Sequence, residues 1–368
     1  MQYLNLSHAN LAETVPTQLR KSFQLAFLDL SLNVFIQSGD LAWLSHILSL
    51  RFLDLSLVDL GAAIHWSQAI NKLPSLVHLN LNGCVLLPFS TGSLFHANFS
   101  APFVFLDLSN NYLINSSIYL WLFKFSTTLV HLDLSSNDLY GSILDGFGNM
   151  ISLAYLDLGY CAFEGEILFA FGDMRALEYL DISGHGLHGE IPDTFGNMTF
   201  LTYIALSSNQ LQEGILDAIG DLASLTYLEL FVNQLKALPK TFELFLSHNE
   251  LEGEIPKSFG RRLGILDLSS NRLYGSIPDT VGSIVSLESL SFSESTPKLY
   301  LVYNQLNGTL PESIGQLAEL VWFDIGSNSL QGTISKAHLF NLSNLAHLGL
   351  SSSSLTFNMS LEWVPHFN

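Results

Sequence analysis

The sequence predicts an α/β solenoid, a right-handed curved superhelix with a parallel β-sheet on its concave face and turns, 3-10 and short helices on its convex face. A leucine-rich string, L-x-x-L-x-L-x-x-N-x-L-x-G-x-I-P, recurs along the 368 residues. Hydrophobic residues make up 48% of the chain and charged residues 13%, a composition that favours a long buried core over disorder. A short period of this kind is typical of a stack in which each repeat buries its apolar face against its neighbours.

The repeats follow one another closely. One copy, LVHLDLSSNDLYGSIL, occupies residues 129–144, and another, LEYLDISGHGLHGEIP, begins at residue 177. Repeat starts, mostly 24 to 27 residues apart, fall at Met1, Leu25, Leu50, Leu76, Phe103, Leu129, Leu153, Leu177, Leu201, Leu225, Thr241, Leu263, Leu287, Thr296, Leu320 and Leu345. We therefore interpret 1–368 as a single solenoid of about 14–16 repeats, with the N- and C-terminal caps absent.

Each position of the repeat has a physical role. The alternation within L-x-L is that of a strand, which predicts that Leu132 and Leu134 point inward while His131 and Asp133 point outward. The ninth position is usually asparagine, whose amide can satisfy backbone groups where the chain leaves the strand. These asparagines are Asn33, Asn111, Asn137, Asn209, Asn233, Asn249, Asn271, Asn304 and Asn328. The pattern predicts a file of buried leucines beside a ladder of asparagines.

The period is irregular at 34–102, 236–246 and 287–303. In the first region, LAWLSHILS and WSQAINKLPS have helical spacing and predict short helices on the convex side. Intervals of 16 residues after Leu225 and 9 residues after Leu287 are too short for a full coil. We expect LESLSFSES to lie outside the ladder, KLYLVYNQLNGTLP to supply a strand, and ALPKTFELFLSHN to pinch or kink the solenoid. A decayed repeat or an imperfect gene model is the alternative.

Charge and cysteine content restrict the partners. Fourteen Lys and Arg against 33 Asp and Glu give a formal charge of −19, which repels nucleic acid. Cys84 and Cys161 both take the asparagine position three repeats apart, about 14 Å, which exceeds the reach of a disulfide and predicts two buried free thiols. The sequence has no secretion signal and no apolar run long enough to span a bilayer, so membrane attachment would need other segments.

Catalytic patterns are missing from the sequence. There is no H-E-x-x-H and no G-x-S-x-G, and acidic residues are dispersed one per repeat. We expect no enzymatic activity, no cofactor and no metal. Gly184, Gly186 and Gly189 form a literal G-x-G-x-x-G, but Gly189 is the turn glycine of the repeat and no crossover helix follows it, so we interpret the match as accidental.

One outward strand position is aromatic or histidine in nearly every repeat. Its members are Tyr3, Phe27, Phe52, His78, Phe105, His131, Tyr155, Tyr179, Tyr203, Tyr227, Trp322 and His347. Exposed rings in a row suit partner binding, whereas the alternative is that they merely stack along the sheet. The predicted partner-binding residues are Tyr155, Tyr179, Tyr203, Tyr227, His131, Phe105 and Trp322.

The next outward position carries acidic residues. They are Asp29, Asp54, Asp107, Asp133, Asp157, Asp181, Asp267 and Asp324. Because aspartate is the usual residue of this repeat, we interpret the column as solvated scaffold, with recognition of a cationic ligand as the alternative.

Seven N-x-[ST] sequons occur, at Asn5, Asn98, Asn115, Asn197, Asn307, Asn341 and Asn358. All except Asn5 avoid the outward strand positions, so that glycans would leave most of the concave face bare. We predict N-glycosylation at the other six and an extracellular setting.

The turn motif G-x-I-P, at 189–192, 253–256 and 275–278, resembles the plant-specific class of leucine-rich repeats. WLSHILSLRFLDLS (43–56), HWSQAINKLPSLVHLNL (65–81) and HLFNLSNLAHLGLSSSSLTFNMSLEWVPHF (338–367) resemble ectodomains of plant receptor-like proteins, in the disease-resistance group that includes fungal-xylanase elicitor receptors. The sequence departs from the pattern of that family because it lacks a signal peptide, the caps, an island segment and a transmembrane helix.

That resemblance implies a leucine-rich-repeat ectodomain on the extracellular side of the plasma membrane in defence signalling. It also implies a protein or peptide elicitor on the concave face and a receptor-kinase co-receptor. A secreted inhibitor of cell-wall-degrading enzymes and a truncated nonfunctional paralogue are the alternative functions.

Overall fold

A computed structural model describes residues 1–11, 24–33, 41–87, 102–114, 117–213, 219, 222, 224–236, 244–256, 265–283 and 297–358. The chain divides into two compact units, Met1–Gly186 and Leu187–Asn368. Each unit consists of very short parallel strands joined by turns and short helices, as the repeat predicts. These features confirm an α/β solenoid of leucine-rich repeats.

The first unit contains a principal sheet of three-residue strands, one from each repeat. The strands are Tyr3–Asn5, Phe27–Asp29, Phe52–Asp54, His78–Asn80, Phe105–Asp107, His131–Asp133, Tyr155–Asp157 and Tyr179–Asp181. Each pairs in parallel with the next at equal repeat positions, for example Leu132 with Leu156 and Leu156 with Leu180. Those three leucines are 0% exposed, which confirms the predicted buried file.

Short helices and lateral strands complete the first unit. The 3-10 helices are Leu41–His46, Phe123–Phe125, Asp145–Asn149 and Phe169–Asp173, the α-helices are Trp66–Ile70 and Ser117–Leu122, and the lateral strands Tyr140–Gly141 and Ala162–Glu166 pair with each other. Trp66–Ile70 is helical because Trp66, Ala69, Ile70 and Leu73 form one buried face at helical spacing. The helices predicted in LAWLSHILS and WSQAINKLPS are therefore confirmed.

An aromatic cluster fills the core behind the irregular repeats of the first unit. The Trp121 ring packs edge-on against Trp66 and Phe103, with centroids 5.9 Å away in both cases, and against Phe125 at 5.2 Å. Edge-to-face contacts between large rings favour packing beyond the area that they bury. Where the usual G-x-I-P turn is missing, these indoles therefore supply the apolar volume that Phe147 and Phe171 supply in regular repeats.

The second unit repeats the same plan. Its principal strands are Tyr203–Ala205, Tyr227–Glu229, Leu244–Phe245, Ile265–Asp267, Lys298–Tyr300, Trp322–Asp324 and His347–Gly349. Lateral strands are Gly186–Gly189, which begins at the last residue of the first unit, Gln210–Leu211, Glu252–Glu254, Arg272–Gly275, Gln305–Gly308, Ser329–Ser335 and Ser354–Asn358. The helices are Asp193–Asn197, Asp279–Ser283 and Glu312–Gln316, all 3-10, and the α-helix Lys336–Leu339.

The repeats near the two short intervals still form strands that pair with their neighbours. Leu244 pairs with Leu228 on one side and with Leu266 on the other, although only 16 residues separate it from Leu228. Lys298–Tyr300 pairs with Ile265–Asp267 and with Trp322–Asp324, so KLYLVYNQLNGTLP supplies the strand as predicted. LESLSFSES, and residues 237–243 on which the predicted kink depends, lie outside the described residues.

The asparagine ladder ties neighbouring repeats together. Asn137 Nδ2 donates to the carbonyl oxygens of Leu134 at 2.9 Å and of Leu108, in the preceding repeat, at 3.0 Å. Its Oδ1 accepts the backbone N–H of Leu113 at 3.1 Å. Equivalent bonds are made by Asn33, Asn111, Asn233, Asn249, Asn271, Asn304 and Asn328. The predicted capping role is confirmed.

Two cysteines and a histidine replace asparagine in this ladder. Cys84 Sγ donates to the Leu55 carbonyl at 3.0 Å and Cys161 Sγ to the Leu134 carbonyl at 3.5 Å, and both thiols are free. Burial raises the pKa of Cys84 to about 12 and of Cys161 to about 11, so both stay protonated donors. Cys84 is buried as predicted; Cys161 is only half-buried, so that part of the prediction is wrong. His185 takes the ladder position next to Cys161, with its Nδ1 3.0 Å from the Cys161 carbonyl oxygen.

We expect Asn137→Ala to lower the free energy of unfolding by about 2–4 kcal/mol, because two buried carbonyls and one N–H lose their partner. Asn137→Cys is the matched control and should lose clearly less, since cysteine donates from the same position in Cys84 and Cys161. Urea titration followed by circular dichroism measures both variants. Equal losses for alanine and cysteine would contradict the ladder as the source of the stability.

Candidate protein-interaction face

The outward side chains of the principal strands form two parallel rows in the first unit. We call this surface the outer strand face. Because the middle leucine of each strand points into the core, the residues on either side of it point outward. The residue before the leucine is a ring in all eight strands and forms the ring row. The residue after the leucine is aspartate or asparagine and forms the acid row.

The ring row is a continuous stack within the first unit. Successive centroids are 3.9 to 4.2 Å apart and successive ring planes differ by 8° to 15°. The stack contains Tyr3, Phe27, Phe52, His78, Phe105, His131, Tyr155 and Tyr179. Each inner ring has both faces covered by its neighbours and presents its edge outward. Stacking along the sheet, one of the two roles considered for this column, is therefore observed.

The predicted partner-binding residues are distributed over both units. Phe105, His131, Tyr155 and Tyr179 are brought together in the ring row of the first unit, where all four are half-buried. In the second unit, Tyr203 stacks on Tyr227 at 4.5 Å. Trp322 stacks on His347 at 3.9 Å in the same unit.

The sequence pattern did not single out two outward rings of the second unit, because each takes the strand position that usually holds an acid. Phe245 follows the inward Leu244 and lies 5.2 Å from the Tyr227 ring. Tyr300 follows Leu299 and lies 6.1 Å from Trp322. Glu229 pairs with Phe245. Alignment of the repeats that start at Leu225 and Thr241 places these two residues at the same position, and this alignment could have identified the Phe245 ring.

The acid row stabilises the turn that follows each strand. Oδ1 of each aspartate accepts the backbone N–H of the residue two positions later, at 2.8 to 3.0 Å, in Asp29, Asp54, Asp107, Asp133, Asp157 and Asp181. This is an Asx-turn, which a side-chain oxygen of aspartate or asparagine makes readily. Asn5 and Asn80 make the same bond, at 2.9 and 3.0 Å. Aspartate is thus part of the scaffold at this position, although the side chains are half-buried instead of fully solvated.

Burial and mutual repulsion raise the pKa values of the central acids. Burial, followed by the charges of Asp107 and Asp181, raises the pKa of Asp133 to about 6. Burial, followed by the charges of Asp133 and Asp181, raises the pKa of Asp157 to about 7. Burial lowers the pKa of His131 to about 4, so its imidazole is neutral at pH 7 and adds no positive charge to the face.

The described sequons lie away from the principal strands, except for Asn5. Asn197 ends a 3-10 helix, Asn307 and Asn358 lie on lateral strands, and Asn341 follows the helix Lys336–Leu339; all four are exposed. Asn5 lies on the first principal strand, where its Nδ2 donates to Asp29 Oδ2 at 3.0 Å. Asn98 and Asn115 lie outside the described residues.

Two further properties hold for the described part of the chain. Histidine, cysteine and acidic side chains form no group of three or more that could hold a metal ion there. The helices described above are all too short or too polar to cross a bilayer.

Gly186 and Gly189 bound a lateral strand that leads into the 3-10 helix Asp193–Asn197, not into the long helix of a dinucleotide site.

Comparison with known proteins identifies the repeat. Leucine-rich-repeat family models match residues 175–235, and also 128–150, 240–261 and 262–284. Receptor-like protein EIX1 of Solanum lycopersicum is 37% identical over 154 residues, which are 42% of this chain and 15% of the relative. The match therefore spans a small part of that protein's length.

Solved structures share the architecture. The leucine-rich-repeat ectodomain of GASSHO1/SCHENGEN3 from Arabidopsis thaliana, in complex with CASPARIAN STRIP INTEGRITY FACTOR 2, matches with a TM-score of 0.59 and 25% identity over 96% of this chain and 50% of that one. A leucine-rich-repeat protein of Leptospira interrogans matches with a TM-score of 0.73 and 25% identity over 98% of this chain and 86% of that one. Because a plant protein and a bacterial protein both share this fold, the fold does not tell which kind of leucine-rich-repeat protein the chain resembles. The sequence match to receptor-like protein EIX1 does so. The chain is a leucine-rich-repeat solenoid protein, and its sequence is similar to plant receptor-like proteins.

Proposed function

We propose that the chain is the protein- or peptide-binding ectodomain part of a plant cell-surface receptor-like protein in defence signalling, with the outer strand face as its binding surface. The observation that carries the proposal is the stack of eight rings beside an acid row in the first unit. The similarity to receptor-like protein EIX1 supports the receptor type. The complex of the GASSHO1/SCHENGEN3 ectodomain supports a macromolecular ligand for this architecture.

Stacking makes the ring row suitable for binding. A ring held between two neighbours about 4 Å away has few rotamers left, so a partner that contacts it loses little side-chain entropy. Aromatic side chains that are ordered in this way are the residues on which interface energy concentrates. The ring edges also form an apolar strip whose removal from water favours association.

The exposed sequons support an extracellular setting. Glycans on Asn197, Asn307 and Asn341 would project from helices, turns and lateral strands and leave the principal strands accessible. We place the protein on the extracellular side of the plasma membrane, attached through segments outside this sequence and signalling with a receptor-kinase partner.

Replacement of the paired tyrosines should weaken ligand binding. We expect Tyr155→Ala with Tyr179→Ala, or Tyr203→Ala with Tyr227→Ala, to lower affinity at least about tenfold, because truncation of a central interface ring typically costs more than 1 kcal/mol. The measurement is biolayer interferometry of the secreted chain against purified secreted fungal proteins, xylanases included, and synthetic peptides.

The matched control combines Tyr140→Ala with Tyr274→Ala. These tyrosines are 54% and 51% exposed and lie on lateral strands, so their loss should leave binding unchanged. Binding that survives Tyr155→Ala with Tyr179→Ala, or that the control weakens equally, would reject the outer strand face as the binding surface. Binding that survives Tyr203→Ala with Tyr227→Ala would reject the predicted binding tyrosines of the second unit.

Glycosylation is testable on the same secreted chain. Glycopeptide mass spectrometry after expression in leaves should find glycans at Asn197, Asn307 and Asn341, which are exposed. Asn5 should be poorly occupied, because both of its amide atoms are hydrogen-bonded on the strand face. An unmodified protein at all of these sites would contradict the extracellular placement.

A further inference from the structure

We infer that the outer strand face of the first unit binds an extended polypeptide segment rich in lysine and arginine, whose cationic side chains pair with the acid row. This inference rests on the proposed function and specifies the chemistry of its ligand. It follows from three observations: what the rings expose, which carboxylate oxygens are free, and how little positive charge the face holds.

The stack limits what the rings can recognise. A sugar ring or a cation bound through π contacts needs an open aromatic face. In the first unit every ring from Phe27 to Tyr155 has neighbours at 3.9 to 4.2 Å on both sides, so these faces are closed. The ring edges remain for a ligand, while the Tyr155 hydroxyl group donates to Asp157 Oδ2 at 3.4 Å. Such an apolar strip fits the aliphatic parts of side chains on an extended polypeptide, including the methylene stems of lysine and arginine.

The acid row keeps free acceptors beside this strip. Oδ1 of each aspartate is taken by its Asx-turn, and Oδ2 of Asp29 and Asp54 accepts from Asn5 and Asn80. For Asp107, Asp133 and Asp181, the described residues supply no hydrogen bond to Oδ2 and no ion pair. These carboxylates lie on strands of the same sheet and can accept ammonium or guanidinium groups that cross the strands.

Positive charge is scarce on this face. Among the described residues that form or directly flank the principal strands of the first unit, Arg51 is basic, against six aspartates and Glu178. The raised pKa values of Asp133 and Asp157 agree with acids that no cation compensates. In the second unit, by contrast, the described residues at the same positions include three acids, Glu229, Asp267 and Asp324, beside the basic Lys298. Charge complementarity therefore assigns the basic segment to the first unit.

Selection from a random peptide library tests the inference without a known ligand. A phage-displayed library of unstructured dodecapeptides is panned on the secreted chain and on the variant Asp133→Asn with Asp181→Asn. Asparagine preserves the Asx-turn, as Asn5 and Asn80 do, so the variant should stay folded; circular dichroism checks this. The matched control is Asp267→Asn with Asp324→Asn, which removes the same charge from Asx-turns of the second unit.

We expect peptides selected on the wild type to be enriched in lysine and arginine and to bind about tenfold more weakly to Asp133→Asn with Asp181→Asn, by fluorescence anisotropy at fixed salt. The control variant should bind them like the wild type. Replacement of arginine in the peptides by neutral citrulline should cause a similar loss. Affinity should also fall as the pH is lowered from 8 to 5, because protonation of Asp133 and Asp157 removes the charges that the cations need.

Other outcomes overturn the inference. Selected peptides without a lysine and arginine excess that still lose affinity on Tyr155→Ala with Tyr179→Ala would leave the proposed function standing and reject the basic ligand class. Equal losses in both aspartate variants would reduce the effect to general attraction by the net charge. Failure of the selection to yield any peptide that depends on the ring row would count against both the inference and the proposed function.

Discussion

The structure depends on the parallel pairing of three-residue strands at identical repeat positions. Because Leu132 pairs with Leu156 and Leu156 with Leu180, every position of the repeat becomes a row across the sheet. A shift of one residue would turn each leucine toward solvent and each outward residue into the core. Asparagines such as Asn137 oppose such a shift, since their amides bond to carbonyls of two successive repeats.

The same pairing forces like groups together, with opposite consequences for the two outward rows. Rings gain by stacking, whereas carboxylates at the same spacing repel one another. Burial, together with the charges of Asp133 and Asp181, raises the pKa of Asp157 to about 7. Its folded pKa lies above the unfolded one, so this aspartate reduces stability as the pH rises from about 4 to 7. His131, with a folded pKa of about 4, reduces stability as the pH falls from about 6.5. These two contributions oppose each other in the same pH range, and a bound cation would relieve only the first.

The sequence was informative wherever the repeat is regular. The buried leucines, the asparagine ladder and the positions of Tyr155, Tyr179, Tyr203 and Tyr227 follow from the period alone, because strand alternation decides which side of the sheet a residue faces. The period does not determine rotamers, so it could not show that the rings close their faces against each other. It also missed Phe245, which the repeat start at Thr241 places opposite Glu229, because a ring there departs from the usual acid. The half-exposure of Cys161 was missed because a ladder position does not fix how well the next repeat covers it.

The turn after each strand shows how the scaffold accommodates variation. The residue before the ladder position adopts a left-handed conformation, with φ of 58° at Leu57 and 55° at Tyr160, where glycine or asparagine would be less strained. Both side chains are exposed, and each lies over a glycine of the next repeat. A Cβ at Gly83 would be 2.6 Å from Leu57 Cδ2, and one at Gly184 would be 2.8 Å from Tyr160 Cδ1. At these two positions, the bulky residue is therefore matched by a missing side chain in the next repeat, whereas Leu32 is followed at the equivalent position by Leu57. Outward positions can thus vary in pairs while the inward leucines and the ladder keep the register that any binding surface on this protein requires.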